Sequence, residues 1–163
     1  MVEVSVVLPC LNEEKTIGIC IDKAKQVFEE NNIDSEVVVA DNGSNDKSIE
    51  IAKKAGARVV LEERKGKGNA MQKGFAEAKG KYIVIADSDD TYDLLELPKI
   101  LKPLMNDHYD FVNGSRFKGK IIPGAMPWHH KYIGNPILTK IFNLFFHTKI
   151  SDMTTGFFGF PKK

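Results

Sequence analysis

Tyr82-Ile83-Val84-Ile85-Ala86-Asp87-Ser88-Asp89-Asp90 joins a short apolar run directly to an acidic one. The apolar run is typical of a strand buried on both faces. Because side chains alternate along a strand, an Asp-x-Asp at its end puts the carboxylates of Asp87 and Asp89 on one side of the backbone. Such a pair is costly unless a cation lies between the two charges, so the stretch indicates a site for Mg²⁺ or Mn²⁺ and a substrate diphosphate. A solvated acidic turn that caps the next helix at Asp90 or Thr91 explains the same residues about as well.

Helical and strand patterns alternate on the N-terminal side of this stretch. Residues 4–8, 36–40 and 58–61 predict three further strands, with Pro9 ending the first of them. Helical patterns lie between the strands, at residues 13–31, 46–54 and 69–78, with Asn12 as a candidate cap of the first helix. This alternation predicts an α/β fold with a Rossmann-like, mostly parallel sheet flanked by helices.

The C-terminal part of the chain has a weaker pattern. A helix is expected from Asp93 to about Met105, bent or broken near Pro98 and Pro103. Further patterns predict a strand at residues 110–113, a loop at 117–128 and a helix at 132–146.

Polar side chains follow three of the predicted strands. In a parallel sheet, ligands bind beyond the carboxyl ends of the strands. We therefore expect these residues to meet at one edge of the sheet: Asn12, Glu13, Asp41, Asn42, Asp87 and Asp89.

The net charge of +1 hides an asymmetry along the chain. Residues 1–100 carry 14 Lys and Arg against 19 Asp and Glu, a net charge of −5, whereas residues 101–163 carry 9 against 3, a net charge of +6. The basic part also contains Phe142, Phe145 and Phe146. It suits an anionic lipid surface or a phosphate, and it equally suits a solvated basic surface around a core helix.

No export or membrane signal is expected in this sequence. Met1-Val2-Glu3 leads directly into the first predicted strand, and apolar runs such as residues 141–146 are too short to span a bilayer. Cys10 and Cys20 lack the spacing and the His partners of a zinc site, so reduced thiols are expected. These features predict a cytoplasmic protein, and no nucleic-acid partner is expected.

Five ordered motifs, which together cover nearly the whole chain, resemble family 2 glycosyltransferases. They are residues 4–14, residues 39–46, residues 65–70 with Gly80, residues 114–116, and residues 152–157. Together they look like the branch with dolichyl-phosphate mannose synthases and polyprenyl-phosphate glucosyltransferases. The resemblance implies a GT-A fold, a nucleotide-sugar donor and inversion at the anomeric carbon.

The resemblance also implies roles for single residues on the donor side. The residues that match nucleotide-site positions are Pro9, Asn12, Glu13 and Asp41; locally, Asp41 fits a turn cap nearly as well. Asp87 and Asp89 match the metal motif, with Asp89 as direct ligand and Asp87 reaching metal or ribose. Lys67 is either a solvated lysine or a contact to the nucleotide phosphates. Thr91 stands where some relatives carry a Gln ligand.

On the acceptor side, Arg116 matches a family arginine associated with phosphate, and Asp152 matches the acid of the last motif. A surface salt bridge would explain Arg116 without any such role. Asp152 would be a general base for a hydroxyl acceptor, whereas for a phosphate acceptor it would position the acceptor or a loop. Relatives often hold another basic contact near residues 129–131, which are His129, His130 and Lys131 here. Phe158 stands where many relatives carry Arg or Lys, two residues after the glycine of the last motif.

Together these observations predict a metal-dependent, inverting glycosyltransferase that moves a hexose from a UDP- or GDP-sugar to a polyprenyl or dolichyl phosphate. It would act at the cytoplasmic face of a membrane, with peripheral contact to the lipid. Two alternatives stay open: a family 2 transferase that acts on a sugar hydroxyl, and a nucleotide-binding module without catalysis. We expect a single catalytic domain over residues 1–163. Residues 1–93 would hold nucleotide sugar and metal, and residues 94–163 would form an acceptor side that is incomplete at its C-terminus.

Overall fold

The computed structural model describes residues 2–106, 109–118 and 130–162. The chain forms two compact units. The first contains residues 1–112 and 158–163, and the second contains residues 113–157. The assignment of donor and acceptor roles to residues 1–93 and 94–163 stays a prediction.

A six-stranded sheet has the strand order β3-β2-β1-β4-β6-β5. Its strands are β1 Val4–Cys10, β2 Ser35–Asp41, β3 Arg58–Leu61, β4 Tyr82–Ile85, β5 Val112–Asn113 and β6 Phe158–Pro161. β1 pairs in parallel with β2 and β4, β2 pairs in parallel with β3, and β6 runs antiparallel to β4. The predicted α/β fold with a mostly parallel sheet is confirmed.

Helices flank the sheet, as the pattern predicts. In the first unit they are α1 Ile17–Asn31, α2 Ser48–Lys54, α3 Lys67–Glu77 and α4 Leu97–Asn106, the last after a 3₁₀ turn at Leu94–Glu96. The second unit contains α5 Asn135–Phe146, which follows a π-helical turn at His130–Gly134. The helix predicted to be bent or broken near Pro98 and Pro103 is divided just before Pro98, where the 3₁₀ turn gives way to α4, and it is not broken at Pro103.

The core forms because β-branched and aliphatic side chains fill both faces of the central strands. All seven residues of β1 are buried. Val7, Val38, Ile83 and Ile85 form one buried cluster, against which Met71 and Phe75 of α3 pack. α1 buries a stripe of residues with helical spacing: Ile17, Cys20, Ile21, Ala24, Val27 and Phe28.

Pro9 does not end β1, contrary to the prediction. The strand continues to Cys10, which pairs with Asp41 of β2. On the other side, the ladder with β4 ends where Val7 pairs with Ile85, so the missing N–H of Pro9 costs no ladder bond there. The carbonyl of Pro9 instead accepts a hydrogen bond from Ser88 Oγ at 2.7 Å.

The predicted helix starts were also wrong in position. α1 begins at Ile17 and not at residue 13, and Asn12 has a left-handed φ of 59° and is not its cap. α2 begins at Ser48, and α3 begins two residues earlier than predicted, at Lys67. β6 was not predicted, because its short sequence, Phe158–Pro161, pairs with β4, which lies more than seventy residues away.

Gly80 allows the chain to pass close to β1 before β4 begins. A Cβ at this position would overlap the backbone nitrogen of Ser5 and lie 2.7 Å from the carbonyl carbon of Val4. Both neighbours are backbone atoms of a buried strand and cannot move easily. We expect Gly80→Ala to lower the free energy of unfolding by about 2–3 kcal/mol, measured by chemical denaturation.

Gly68→Ala is the matched control for this substitution. Gly68 is in the first turn of α3, and among the described residues no atom beyond its chain neighbours and the backbone of its own helix lies within 4 Å of a Cβ placed there. Alanine is the better helix former, so this variant should be unchanged or more stable by about 0.5 kcal/mol. Equal losses in both variants would contradict the steric explanation.

Candidate functional site

A cleft of about 440 Å³ lies in the first unit at the carboxyl ends of β1, β2 and β4. Its volume is typical of small-molecule sites. The structure brings six of the predicted donor-side residues together in its lining: Pro9, Asn12, Glu13, Lys67, Asp87 and Asp89. Asp41 is not a lining residue, although its neighbours Asn42 and Gly43 are.

The acidic run forms one wall of the cleft. Asp87 Oδ1 lies 2.6 Å from the ammonium nitrogen of Lys67, at the start of α3. Asp89 Oδ1 accepts a hydrogen bond from the backbone N–H of Thr91 at 2.9 Å, which orients the Asp89 carboxylate. Between them, the buried Ser88 ties the run to β1 through Pro9. The two carboxylates therefore lie at the cleft in defined orientations.

Asp90 has a different role from its two acidic neighbours. It adopts a left-handed φ of 58° and forms an ion pair with Lys23 of α1 at 2.9 Å. The residue that caps the following 3₁₀ turn is Asp93, which accepts from the N–H of Leu95. The interpretation of Asp90 or Thr91 as a helix cap was therefore wrong.

Two loops are joined at the cleft. Asn12 Oδ1 accepts from the N–H of Asn45 at 2.8 Å, and the N–H of Asn12 donates to Ser44 Oγ at 2.9 Å. The N–H of Glu13 donates to Ser48 Oγ at 2.8 Å. The predicted Asn12 and Glu13 thus connect the loop after β1 to the loop after β2 and to the start of α2, which gives this side of the cleft a fixed backbone.

Asp41 shapes the turn after β2. Its Oδ2 accepts from the N–H groups of Gly43 and Ser44 at 2.9 and 3.1 Å. Its other oxygen, Oδ1, is buried and has no hydrogen-bond partner in the described part of the chain. Buried polar atoms without a partner are uncommon, so this oxygen is a candidate acceptor for a ligand.

Asn42 holds the loop between β3 and α3, a contribution that sequence reasoning missed. Its Nδ2 donates to the carbonyls of Glu62 and Arg64 at 2.9 and 2.8 Å, and its Oδ1 accepts from the N–H of Gly66 at 2.7 Å. The turn pattern at Asp41–Ser44 could indicate a polar loop residue. It could not reveal partners that lie twenty or more positions along the chain.

Glu62 has the most strongly shifted carboxyl in this loop. Its Oε1 accepts from Arg64 Nε at 2.9 Å and from the Arg64 N–H at 2.8 Å, and its Oε2 accepts from Nη2 at 3.0 Å. The Arg64 side chain first, and then its backbone N–H, lower the pKa of Glu62 to about 2. Carbon-detected NMR titration of the carboxyl should give that value, and Arg64→Ala should raise the pKa toward the ordinary 4.5.

Because the folded-state pKa of Glu62 is depressed, its contribution to stability is complete above about pH 4.5 and is lost as the pH falls toward 2. Arg58→Ala serves as control, since Arg58 pairs with Glu36 on the sheet. An unchanged Glu62 pKa in Arg64→Ala would contradict the assignment.

In the second unit, Arg116 and Asp152 form a two-point ion pair. Arg116 Nε lies 2.7 Å from Asp152 Oδ2, and Nη2 lies 2.8 Å from Oδ1. The Asp152 side chain is fully buried, and Thr154 donates to its Oδ1 through both N–H and Oγ. Burial alone would raise the pKa of Asp152, but the bonds from Arg116 outweigh it and hold that pKa below its usual value.

α5 carries several exposed apolar residues of the second unit. Leu144, Phe145 and Phe146 are 73%, 74% and 64% exposed. The alternative in which Phe142, Phe145 and Phe146 form the apolar face of a core helix does not hold for Phe145 and Phe146. His129 lies outside the described residues, as do the side chains of His130 and Lys131, the other predicted basic contacts. None of the described helices combines the length and the apolar character that a bilayer crossing needs.

The chain is similar to known proteins over most of its length. The model of Glycosyl transferase family 2 matches residues 5–163. The chain is 45% identical over 152 residues to the low-salt glycan biosynthesis hexosyltransferase Agl6 of Haloferax volcanii, covering 93% of this chain and 37% of that protein. It is 35% identical over 156 residues to a dolichyl-phosphate hexose transferase of the same organism, covering 94% and 64%.

A solved structure is also similar. Glucosyl-3-phosphoglycerate synthase from Mycobacterium tuberculosis, in complex with Mn²⁺, UDP and glucosyl-3-phosphoglycerate, has a TM-score of 0.75 and 25% sequence identity. The match covers 98% of this chain and 57% of that one. The chain thus spans between about a third and two thirds of the length of these three relatives.

Proposed function

The chain belongs to glycosyl transferase family 2, and from this membership we propose that it is a metal-dependent, inverting hexosyltransferase. Its donor would be a UDP- or GDP-sugar and its acceptor a polyprenyl or dolichyl phosphate. The observation that carries the proposal is the cleft beyond the strand ends that Asp87, Asp89 and Lys67 line, with Lys67 paired to Asp87. The relatives named as a hexosyltransferase and a dolichyl-phosphate hexose transferase support the hexose and the lipid.

The nucleotide would lie along the joined loops after β1 and β2. Pro9 lines this side of the cleft, and the bonds of Asn12 and Glu13 keep its backbone in place. We assign Asp41 Oδ1 to an N–H or O–H of the base or ribose, because this buried acceptor has no partner in the described residues. Such a bond would satisfy an atom that is otherwise costly to bury.

The acidic wall fits a divalent cation that is shared with the diphosphate. Within the described ranges, no group of three or more His, Cys, Asp or Glu side chains is placed to hold a metal by itself. Mg²⁺ sites on substrate phosphates usually use only one or two carboxylates, so Asp87 and Asp89 fit this kind of site, for Mg²⁺ or Mn²⁺. When bound, the cation would stabilise the negative charge of the departing diphosphate.

Asp152 favours a phosphate acceptor over a hydroxyl. A hydroxyl needs a base for its proton, whereas a phosphate is ionised near neutral pH and needs none. Asp152 is buried, paired with Arg116 and lowered in pKa, which makes it a poor base. In our proposal it fixes Arg116, the candidate contact to the acceptor phosphate. An oxygen of that phosphate would bond to the anomeric carbon with inversion, while the bond from this carbon to the diphosphate breaks.

An acceptor screen tests the proposal. The protein is incubated with UDP- or GDP-hexose, Mn²⁺ and one acceptor, either dolichyl phosphate, 3-phosphoglycerate or a free hexose, and release of UDP or GDP is measured. We expect nucleotide release with dolichyl phosphate and not with the other two acceptors. Release only with a hydroxyl acceptor would establish the first alternative, and binding of nucleotide without release on any acceptor would establish a non-catalytic module.

We further propose that α5 contacts the lipid surface that carries the acceptor. Leu144 and Phe145 of this helix are exposed, Lys140 precedes them in the helix and Lys149 follows its C-terminal end. Residues 111–151 contain no acidic residue. An apolar helix face flanked by cations is typical of helices that lie in a membrane interface with anionic lipids.

Liposome co-sedimentation tests this surface. The double variant Leu144→Gln/Phe145→Gln should bind vesicles that contain anionic lipid at least about tenfold more weakly than the wild type, because it removes apolar area that would enter the interface. Leu61→Gln, which changes a 61% exposed leucine in the first unit, is the control. Binding that depends neither on these residues nor on anionic lipid would contradict the surface.

A further inference from the structure

Lys67 neutralises the carboxylate that the proposed metal site needs. We infer that Lys67 exchanges partners: it holds Asp87 in the ligand-free protein and moves to a diphosphate oxygen when divalent cation and nucleotide bind. The inference rests on the proposed function, because it gives the same cleft a ligand-dependent change. It concerns the side chains of the chain itself, so it can be measured without catalysis.

The backbone that carries Lys67 is fixed. Lys67 is the first residue of α3, and Gly66 before it donates its N–H to Asn42 Oδ1 at 2.7 Å. Asn42 is buried and also holds the carbonyls of Glu62 and Arg64. The loop therefore holds the backbone of Lys67 in one position at the cleft, so any movement of the ammonium group comes from rotation of the side chain.

The contact between Lys67 and Asp87 is short but easily released. The two atoms lie 2.6 Å apart, yet the Lys67 side chain is 59% exposed and that of Asp87 is 20% exposed. Ion pairs open to solvent contribute little to stability, and lysine has a flexible stem with a compact charge that can be redirected. Releasing Asp87 thus costs little compared with what a divalent cation gains from a carboxylate.

An ammonium group and a divalent cation compete for the same Asp87 oxygen. In the free protein the lysine compensates one of the two carboxylates of the acidic wall. Once a divalent cation takes over that compensation, the lysine and the cation repel each other, and the incoming diphosphate offers new acceptors at the same cleft. Removing the charge of Lys67 should consequently strengthen the binding of the divalent cation alone and weaken the binding of the nucleotide with the cation.

The experiment measures Mn²⁺ binding to the free protein by the loss of the free-ion electron paramagnetic resonance signal, and UDP and GDP binding with Mn²⁺ by calorimetry. Lys67→Met should bind Mn²⁺ alone about fivefold more tightly and the nucleotide with Mn²⁺ about tenfold more weakly. Lys67→Arg should restore nucleotide binding to near the wild-type value. Lys65→Met is the control. It removes the same charge from another residue that lines the cleft, but the ion pair that the described residues form with Asp87 is that of Lys67.

Opposite shifts in Lys67→Met, with Lys65→Met within about twofold of wild type for Mn²⁺ alone, support the exchange. If both variants bound Mn²⁺ equally more tightly, the lost positive charge near the cleft would explain the effect without any contact to Asp87, and the exchange would be overturned. Weaker or unchanged Mn²⁺ binding in Lys67→Met would also overturn it. Wild-type protein that is folded but binds neither nucleotide with Mn²⁺ would remove the proposed function, and the exchange with it.

Discussion

Asp89→Asn is expected to weaken Mn²⁺-dependent binding of the donor nucleotide by about 100-fold. Asparagine keeps the side-chain oxygen that accepts from the Thr91 N–H, so the loop should hold its shape. It loses the negative charge that a divalent cation requires from a hard oxygen ligand. Calorimetric titration with UDP and GDP, each with and without Mn²⁺, measures the effect, and the nucleotide that responds also identifies the base.

Asp90→Asn is the matched control for this variant. It makes the same chemical change one residue further on, and asparagine tolerates the left-handed φ of 58° found there. Because Asp90 pairs with Lys23 and does not line the cleft, nucleotide affinity should stay within about twofold of wild type. Similar losses in both variants would mean that the whole acidic run, and not Asp89 in particular, attracts the cation.

Asp152→Asn is expected to lower the free energy of unfolding by about 3 kcal/mol. The substitution removes the buried counter-charge of the half-buried Arg116 and turns an amide N–H toward the guanidinium group. Circular dichroism during urea denaturation measures the loss. The control is Glu96→Gln, whose partner Lys99 is well exposed, and it should change stability by no more than about 0.5 kcal/mol.

A double-mutant cycle separates the pair from its surroundings. Removing both charges, in Arg116→Met with Asp152→Asn, should cost less than the sum of the single variants, since no unpaired charge remains. The pH dependence has a definite sign. The pKa of Asp152 is depressed, so its stabilisation is complete above the ordinary value near 3.8 and is lost below it. Wild-type stability of Asp152→Asn would contradict this structural role.

Local pattern was enough to predict the parallel core of the fold. The strands β1 to β4 follow from short apolar runs, and the helices between them follow from helical spacing. The connection rule for parallel sheets then places the strand ends at one edge. This is why Asn12, Glu13, Asn42, Asp87 and Asp89 could be predicted to share one cleft, whereas Asp41, predicted with them, does not line it.

Helix starts and turn contacts were less predictable. Asparagine commonly caps helices, and both Asn12 and Asn45 precede a helix. In the structure, however, the side-chain oxygen of Asn12 accepts a hydrogen bond from the backbone N–H of Asn45 in another loop. A capping side chain and a loop-bridging side chain use the same acceptor oxygen, so the residue type alone does not distinguish them. The choice depends on which backbone N–H the fold brings near.

The sequence by itself determined the α/β architecture, the edge at which polar residues collect and the acidic run as a candidate cation site. Only the tertiary structure decided which partner each polar group takes: Lys67 for Asp87, Lys23 for Asp90, Gly66 for Asn42 and Arg116 for Asp152. It also decided that β6 enters the sheet antiparallel to β4. The physical reason is that periodicity and propensity act over a few neighbouring residues, whereas these partners lie about twenty to eighty positions apart and meet only when the sheet is assembled.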